Sequence, residues 1–450
     1  MGPEATIRTG EKLTSLVVEG GHRLAGRVDV EGNKNSALPL LAACLLTEEP
    51  CVLNNVPRIQ DVQVMADLLA GLGADLSGVG SSTLRVRCAR VDGEEPDRRL
   101  VGRLRGSVLL CGPLLARRGR VHLAPPGGDF PARRTLSVHL QALEAMGVRR
   151  SEATGADYVL EAPDGLRAAS IYLEEASVTG TETALLAAAA AVGESEIRHA
   201  ACEPHVVELC RFLTRMGAEV EGAGTPTIRI AGGRRLVGVR HRLEGDYIEA
   251  GSWVVAAAVT GGELEVRGAR PEHLEPITTV LKRMQVDCEV DDDRLLLRPS
   301  SPVGVRQITT APWPGFPSDM VSLISVLATQ ATGRTLIHDW MYELRLFALE
   351  QLSGMGANLF LCDPHRMIVD GPARLTGQTL DSRDLRSGMA LIAAALAATG
   401  TSRIHPLETV ERGYAQLVER LCALGAQIEV EGASGGDPSE GRRQKNSTGL

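Results

Sequence analysis

A helix-like apolar stretch that ends in a short Leu/Met-Gly-Ala phrase, followed by alternating apolar residues, recurs six times along the chain. The phrases are Leu72-Gly73-Ala74, Met146-Gly147-Val148, Met216-Gly217-Ala218, Met284-Gln285-Val286, Met355-Gly356-Ala357 and Leu424-Gly425-Ala426. Their central positions stand 74, 70, 68, 71 and 69 residues apart, a regularity that marks a repeat architecture. A Gly directly after the last helical turn supplies the left-handed conformation that ends a helix at little cost. The residues that follow, such as Ala218-Glu219-Val220 and Gln427-Ile428-Glu429-Val430, alternate as half-buried strands. Gln285 replaces Gly in the fourth phrase, which predicts a looser cap there.

The first half of each unit repeats as well. An Ala- and Leu-rich helix leads into a Gly turn and a strand: Thr183–Val192 before Gly193, Trp253–Val259 before Gly261-Gly262, Met320–Thr329 before Gly333, and Met389–Thr399 before Gly400. Small residues on all sides of a helix suit burial inside a domain. Each unit therefore reads β-α-β-α-β over about 70 residues, and three units per domain give two α/β domains of about 210 residues. The Gly-, Ser-, Lys- and Arg-rich stretch Gly432–Leu450 is aperiodic and is expected to be disordered.

Composition narrows the function classes. Lys+Arg number 48 against 56 Asp+Glu, a formal net charge of −8, and there are only 3 Trp, 5 Tyr and 5 Phe. An acidic chain so poor in rings lacks the basic grooves and stacking platforms of a nucleic-acid binder. The apolar run Ala37–Leu46 falls well short of the ~20 residues that span a membrane, and no basic-then-apolar segment opens the chain. Nine dispersed cysteines without a C-x-x-C pair read as free thiols in a reducing cytoplasm. No metal site is implied, and any anionic ligand must be held by a few local cations.

Charged residues interrupt the repeat at particular helix starts. Gly32-Asn33-Lys34-Asn35-Ser36 lies between a strand, Gly26–Val30, and the helix beginning at Ala37. Lys beside exposed backbone N–H groups favours an anion there, while an Asn or Ser N-cap with a solvated Lys is the plainer alternative. Pro125-Pro126-Gly127-Gly128-Asp129-Phe130-Pro131-Ala132-Arg133-Arg134 is stiff and then flexible, as a lid or a surface turn would be. Trp313-Pro314-Gly315-Phe316-Pro317-Ser318-Asp319-Met320 delivers a carboxylate to a helix start, for chemistry or for capping. Arg105 opens a Leu-rich helix, Arg345 follows Tyr342-Glu343, Asp384-Leu385-Arg386 opens another helix, and Glu411-Arg412-Gly413 opens the last. If the two halves close on each other, these cations converge on one cleft.

At these residues the chain resembles the enolpyruvyl transferases. The match runs from about Leu16 to Glu431 through Gly32-x-Lys34-Asn35-x-Ala37-Leu38-Pro39, Asn55-Val56-Pro57, Arg105–Arg117, Pro126-Gly127-Gly128, Phe316-Pro317-x-Asp319-Met320, Asp384-Leu385-Arg386 and Arg412-Gly413-Tyr414. Lys34-Asn35 stands where the shikimate-pathway branch would show Lys-Ser, which places the resemblance with the members that use UDP-N-acetylglucosamine.

The resemblance implies a two-domain, inside-out α/β barrel of six units. Residues 15–33 and 246–432 would form one domain, 34–245 the other with a lid at 125–135, and 1–14 and 433–450 flexible tails. It implies transfer of the enolpyruvyl group of phosphoenolpyruvate to the 3-hydroxyl of UDP-N-acetylglucosamine with release of phosphate, the first committed step of peptidoglycan precursor synthesis. No cofactor, metal, nucleic acid, membrane or obligate protein partner is implied. Lys34, Asn35, Arg134, Arg345, Arg386 and Arg412 would bind phosphoenolpyruvate. Asn35, Arg105, Arg134, Thr135, Leu136, Ser137, Val138, Ser177, Val178, Asp319 and Met341 would contact the nucleotide sugar, and Asp384 would complete the cleft. Lys34 and Arg412 would also serve catalysis.

The chemistry needs a proton delivered to a methylene carbon and one removed from a hydroxyl. Asp129 occupies the loop position where the family commonly has Cys, and Asp319 would act as base. An Asp with an ordinary pKa near 3.9 must rise to about 7 to be half protonated at neutral pH, roughly 4 kcal/mol. Without the Cys, insensitivity to fosfomycin is expected. Thr135, Ser137, Glu175, Phe130-Pro131 and the phrase before Arg412 depart from the family pattern, mainly on the nucleotide-sugar side. An enolpyruvyl transferase with another acceptor, and a non-catalytic paralogue, are the alternatives.

Overall fold

The computed structural model describes residues 14–92, 95–128, 135–151, 156–343 and 345–432. The expected tails, 1–14 and 433–450, fall outside this range except for Thr14. The fold is mixed α/β. Among the described residues the strands form six sheets, five of four strands and one of three, and every sheet is open-ended, with no closed barrel.

Parallel neighbours need a crossover, and buried helices supply it. Ser170–Tyr172 and Gly193–Arg198 flank helix Val178–Ala190; Gln307–Thr309 and Gly333–His338 flank Val321–Gln330; Thr379–Asp381 and Thr401–His405 flank Leu385–Ala397. Two further parallel pairs join distant stretches: Ala25–Asp29 with Glu263–Arg267, and Cys51–Asn54 with Arg240–Arg242. Where one strand was expected after the second helix, two antiparallel strands stand, as in Asp75–Ser77 with Thr83–Arg87 and Glu219–Glu221 with Thr227–Gly232. The left-handed pairs Gly78/Gly80 and Gly222/Gly224 turn these hairpins.

All six phrase centres adopt positive φ: Gly73 97°, Gly147 90°, Gly217 117°, Gln285 59°, Gly356 102° and Gly425 99°. The Gln285 cap is not looser, contrary to expectation. Gln285 N donates to Lys282 O and Val286 N to Leu281 O, both at 3.0 Å, matching the bonds that Gly73 and Ala74 make. An unbranched side chain tolerates this conformation at a cost of about 1 kcal/mol, and the paired bonds keep it there.

Two hydrophobic cores result. One gathers residues from Ala37 to Leu243 together with Ala415; the other gathers Leu16–Val30 with residues from Tyr247 to Ala426. Helices Tyr247–Val259, Val321–Gln330 and Leu385–Ala397 pack on one another inside the second, and every residue of the first of them is buried. The chain passes between cores at Glu31–Lys34 and at Glu244–Asp246, where the two passages bond to each other: Asn33 N to Glu244 O at 2.8 Å and Asp246 N to Glu31 O at 2.9 Å. Gly32 is required here, since a Cβ would lie 1.8 Å from Asn55 O.

Candidate active site

Three helices that bear candidate residues, and a fourth that meets one of them, are capped by short polar side chains at their N-termini. Asn33 caps Lys34–Ala43, Ser177 caps Val178–Ala190, Asp246 caps Tyr247–Val259 and Asp384 caps Leu385–Ala397. Each satisfies N–H groups that would otherwise be orphaned and fixes where the helix begins. Asp246 also accepts from Lys34 N at 3.2 Å, so the starts of two helices from different cores meet.

Lys34 and Arg412 come together on one buried carboxylate. Lys34 Nζ lies 2.7 Å from Asp61 Oδ2. Arg412 donates to Asp61 Oδ1 from Nε at 2.9 Å and to Oδ2 from Nη2 at 3.3 Å. Burial pushes the Asp61 carboxyl up, but Lys34 and then Arg412 outweigh it and hold it below its ordinary value. Arg412 also donates to Gly128 O at 2.9 Å and Arg103 O at 3.3 Å. A Cβ on Gly128 would stand 2.3 Å from Arg103 O and 2.8 Å from Arg412 Nη2, so only glycine admits this approach. Arg412 does not open the last helix as expected: it follows the short turn Glu408–Glu411, and the helix starts at Leu417 after left-handed Gln416.

A second carboxylate gathers two more cations. Asp319 sits in the tight turn Ser318–Met320 before helix Val321–Gln330, whose N-cap residue Met320 makes no side-chain cap bond. Its Oδ1 accepts from Arg345 Nη1 at 3.3 Å and its Oδ2 from Arg386 Nε at 3.1 Å. Arg345 Nη1 also donates to Ser318 Oγ at 2.7 Å, and its guanidinium lies 4.5 Å from the Tyr342 ring centre. Arg386, 6% exposed, reaches Tyr414 Oη at 3.2 Å. Burial works against the charge of both arginines; Asp319 more than compensates, and both stay firmly protonated. Met341 N bonds to Asp339 Oδ1 while Ser318 Oγ bonds to Asp339 Oδ2, which ties Met341 to this group. Asp384 keeps Oδ1 on Arg386 N and Ser387 N, and its buried Oδ2 has no hydrogen-bond partner among the described residues.

The acceptor-side candidates form a third group. Arg105 donates to Thr135 O at 2.8 Å, and Thr135 Oγ1 lies 2.8 Å from Ser137 Oγ. Leu136 is buried at the N-cap position of helix Ser137–Ala145. Val138 packs on the first turn of helix Val178–Ala190, where a Cβ on Gly180 would meet its Cγ1 at 2.8 Å. His139 Nε2 lies 2.9 Å from Thr179 Oγ1, and burial, aided by Arg105, lowers its pKa to about 3. Glu175 is exposed. Asn35 is the second residue of helix Lys34–Ala43, its N–H held by Asn33 Oδ1 at 2.8 Å. Asp129, Phe130, Arg133 and Arg134 lie outside the described residues; the chain enters their segment through Gly127, whose N–H bonds Val101 O at 3.1 Å, and leaves it at Thr135.

Sequence reasoning missed Asp61, Asp246 and Tyr414 as members of this arrangement. Asp61 and Asp246 carry only the signal of an acid in a first helical turn or at a cap, which most helices share. Among the described residues no group of three or more His, Cys, Asp or Glu has metal-binding geometry, and no helix is long and apolar enough to cross a membrane. Four cations held by two carboxylates, with further polar groups beside them, suit a strongly anionic ligand.

A family model described as EPSP synthase (3-phosphoshikimate 1-carboxyvinyltransferase) matches residues 18–421. The chain belongs to the EPSP synthase family. It is 43% identical over 421 residues to a protein of Bradyrhizobium diazoefficiens named UDP-N-acetylglucosamine 1-carboxyvinyltransferase, covering 92% of this chain and 97% of that one. A protein of the same name from Treponema denticola is 39% identical and covered in full, over 93% of this chain. Among solved structures, the enolpyruvyl transferase NikO from Streptomyces tendae superimposes with a TM-score of 0.83 at 27% identity, covering 94% of this chain and 100% of that one. EPSP synthase of Acinetobacter baumannii shares the fold, with a TM-score of 0.72 at 19% identity over 93% of this chain and 99% of that one. The chain is thus an enzyme of the enolpyruvyl transferase class.

Proposed function

We propose that this enzyme transfers the enolpyruvyl group of phosphoenolpyruvate to the 3-hydroxyl of UDP-N-acetylglucosamine and releases phosphate, in the cytoplasm, at the start of peptidoglycan precursor synthesis. The observation that carries the reading is the placement of Lys34 and Arg412 on Asp61, and of Arg345 and Arg386 on Asp319, in a chain 43% identical to a protein named for that reaction. The six sheets are taken as six copies of one unit, three per domain, with residues 34–245 inserted into a domain made of 15–33 and 246–432. Both substrates are small molecules, and the reaction needs no protein partner.

Lys34, Arg412 and Arg134 neutralise the phosphate and carboxylate of phosphoenolpyruvate, with Asn35, Arg345 and Arg386 completing its surroundings. Arg105, Thr135, Leu136, Ser137, Val138, Ser177, Val178 and Met341 contact the nucleotide sugar, and Asp384 holds the start of the helix that presents Arg386. Asp129 gives a proton to the methylene carbon while Asp319 takes one from the sugar hydroxyl. The hydroxyl oxygen bonds to the central carbon; the phosphate oxygen then leaves as the methyl group returns its proton, restoring the double bond. Asp319 suits the base role because Arg345 and Arg386 hold its carboxylate in a fixed position.

The test is phosphate release from purified enzyme with phosphoenolpyruvate, with and without UDP-N-acetylglucosamine and fosfomycin. Acceptor-dependent release that fosfomycin does not slow is expected. Release without dependence on this acceptor would overturn the assignment of substrate.

A further inference from the structure

The proposed site leaves unexplained why a carboxylate is buried between two cations meant for an anionic substrate. Asp61 is 3% exposed, on the second residue of helix Gln60–Gly71, a helix whose first turn has no side-chain cap. Its charge faces Lys34 and Arg412, and its own helix brings no other charged group to it. Both cations reach the same atom: Oδ2 lies 2.7 Å from Lys34 Nζ and 3.3 Å from Arg412 Nη2. Lys34 belongs to a helix of the first core, and Arg412 to a turn whose Val410 belongs to the second. Like charges this close repel, and more strongly where water is excluded. A shared anion is what lets them stand side by side.

We propose that Asp61 is a positioning residue for the phosphoenolpyruvate site: it draws Arg412 across from the second core onto Lys34, so that the two cations are paired before substrate binds. The inference rests on the proposed reaction and adds to it the origin of the site's geometry. Arg412 is further fixed by Gly128 O and Arg103 O, so the same contact sets the side chain against the entrance to segment 129–134.

Two views of Asp61 predict opposite signs. As a mere competing anion beside a phosphate, its loss would tighten phosphoenolpyruvate binding. As a positioning residue, its loss frees the cations to separate and weakens binding. Steady-state kinetics of Asp61→Asn should show KM for phosphoenolpyruvate raised by about tenfold or more. KM for UDP-N-acetylglucosamine should stay within about twofold and kcat fall less than kcat/KM. Asp61→Glu, which keeps the charge but shifts it by one methylene, should raise the same KM by only about threefold and serves alone if the Asn variant does not fold. An unchanged or lowered KM for phosphoenolpyruvate in either variant overturns the proposal. So does an equal loss in both KM values together with a lowered unfolding temperature, which would mark a structural role. Wild-type enzyme that turns over no phosphoenolpyruvate would instead overturn the reaction on which the inference rests.

Discussion

At the scale of single residues, the site is an economy of paired charges. Asp319 is the partner of Arg345 and of buried Arg386, so Asp319→Asn removes more than the proposed base. Loss of the base should lower kcat by about 10²–10⁴-fold. Stranding Arg345 and Arg386 should cost about 3 kcal/mol of stability, read as an earlier midpoint in urea. Full activity in that variant would show that the proton leaves by another route. The cations were legible in the sequence because each breaks an apolar pattern near a junction between elements. Their counter-ions were not: Asp61 looks like any acid favoured by a helix N-terminus, and nothing local tells that it faces Arg412 some 350 positions away.

At the scale of elements, backbone punctuation was the most readable feature. Phrase after phrase, the residue that follows a helix takes the left-handed conformation, and Gln285 takes it too. Gln285→Gly should therefore stabilise the chain by about 0.5 kcal/mol, the relieved strain exceeding the added freedom of the unfolded chain. Gly217→Gln should destabilise it by about 1 kcal/mol, and denaturant midpoints check both. Less readable was the doubling of the closing strand, because short Gly-x-Gly turns leave too few residues to show a period. Another element-level tie is ionic. His122, on strand Arg120–Leu123, has Nε2 2.8 Å from Asp157 and Nδ1 2.8 Å from Glu95, while Arg98 also pairs with Asp157. Bonding to Asp157 first, and to Glu95 next, raises the His122 pKa above its ordinary 6.5. The stabilisation is present in full below 6.5 and fades as pH climbs through the raised value. Unfolding midpoints followed from pH 6 to pH 9 should lose this contribution, and His122→Gln should flatten the slope.

At the scale of the whole molecule, a net charge of −8 coexists with four cations gathered on two carboxylates, Lys34 and Arg412 on Asp61 and Arg345 and Arg386 on Asp319. The proposed binding residues come from both cores, so occupancy by both substrates should protect both at once. In hydrogen exchange, amides at the starts of helices Lys34–Ala43 and Leu385–Ala397 should slow together, with up to about 2.7 kcal/mol of stabilisation at a hundredfold excess over Kd. Slowing confined to one core would contradict a site shared between them. The sequence period revealed an α/β repeat chain; it did not reveal where the chain would cross from core to core, since Gly32 and Gly245 owe their identity to backbone approaching from elsewhere.

Strand Ser15–Glu19 lies between Thr401–His405 and Gln427–Glu431, paired with both. Among the described residues, the strand made earliest is thus one of the last to find its neighbours. About 380 residues separate Glu19 from its partner Thr401, and at 5–20 residues per second that is a wait of roughly 20 to 80 s. During it the core spanning Ala37 to Leu243 has every residue it needs but Ala415. Leu16 and Val18, both fully buried in the finished enzyme, remain without a place to go. Synthesis of this enzyme therefore leaves an apolar strand uncovered for some 380 residues of chain growth, a segment that chaperones would hold and that a chain stopped before Thr401 would never cover.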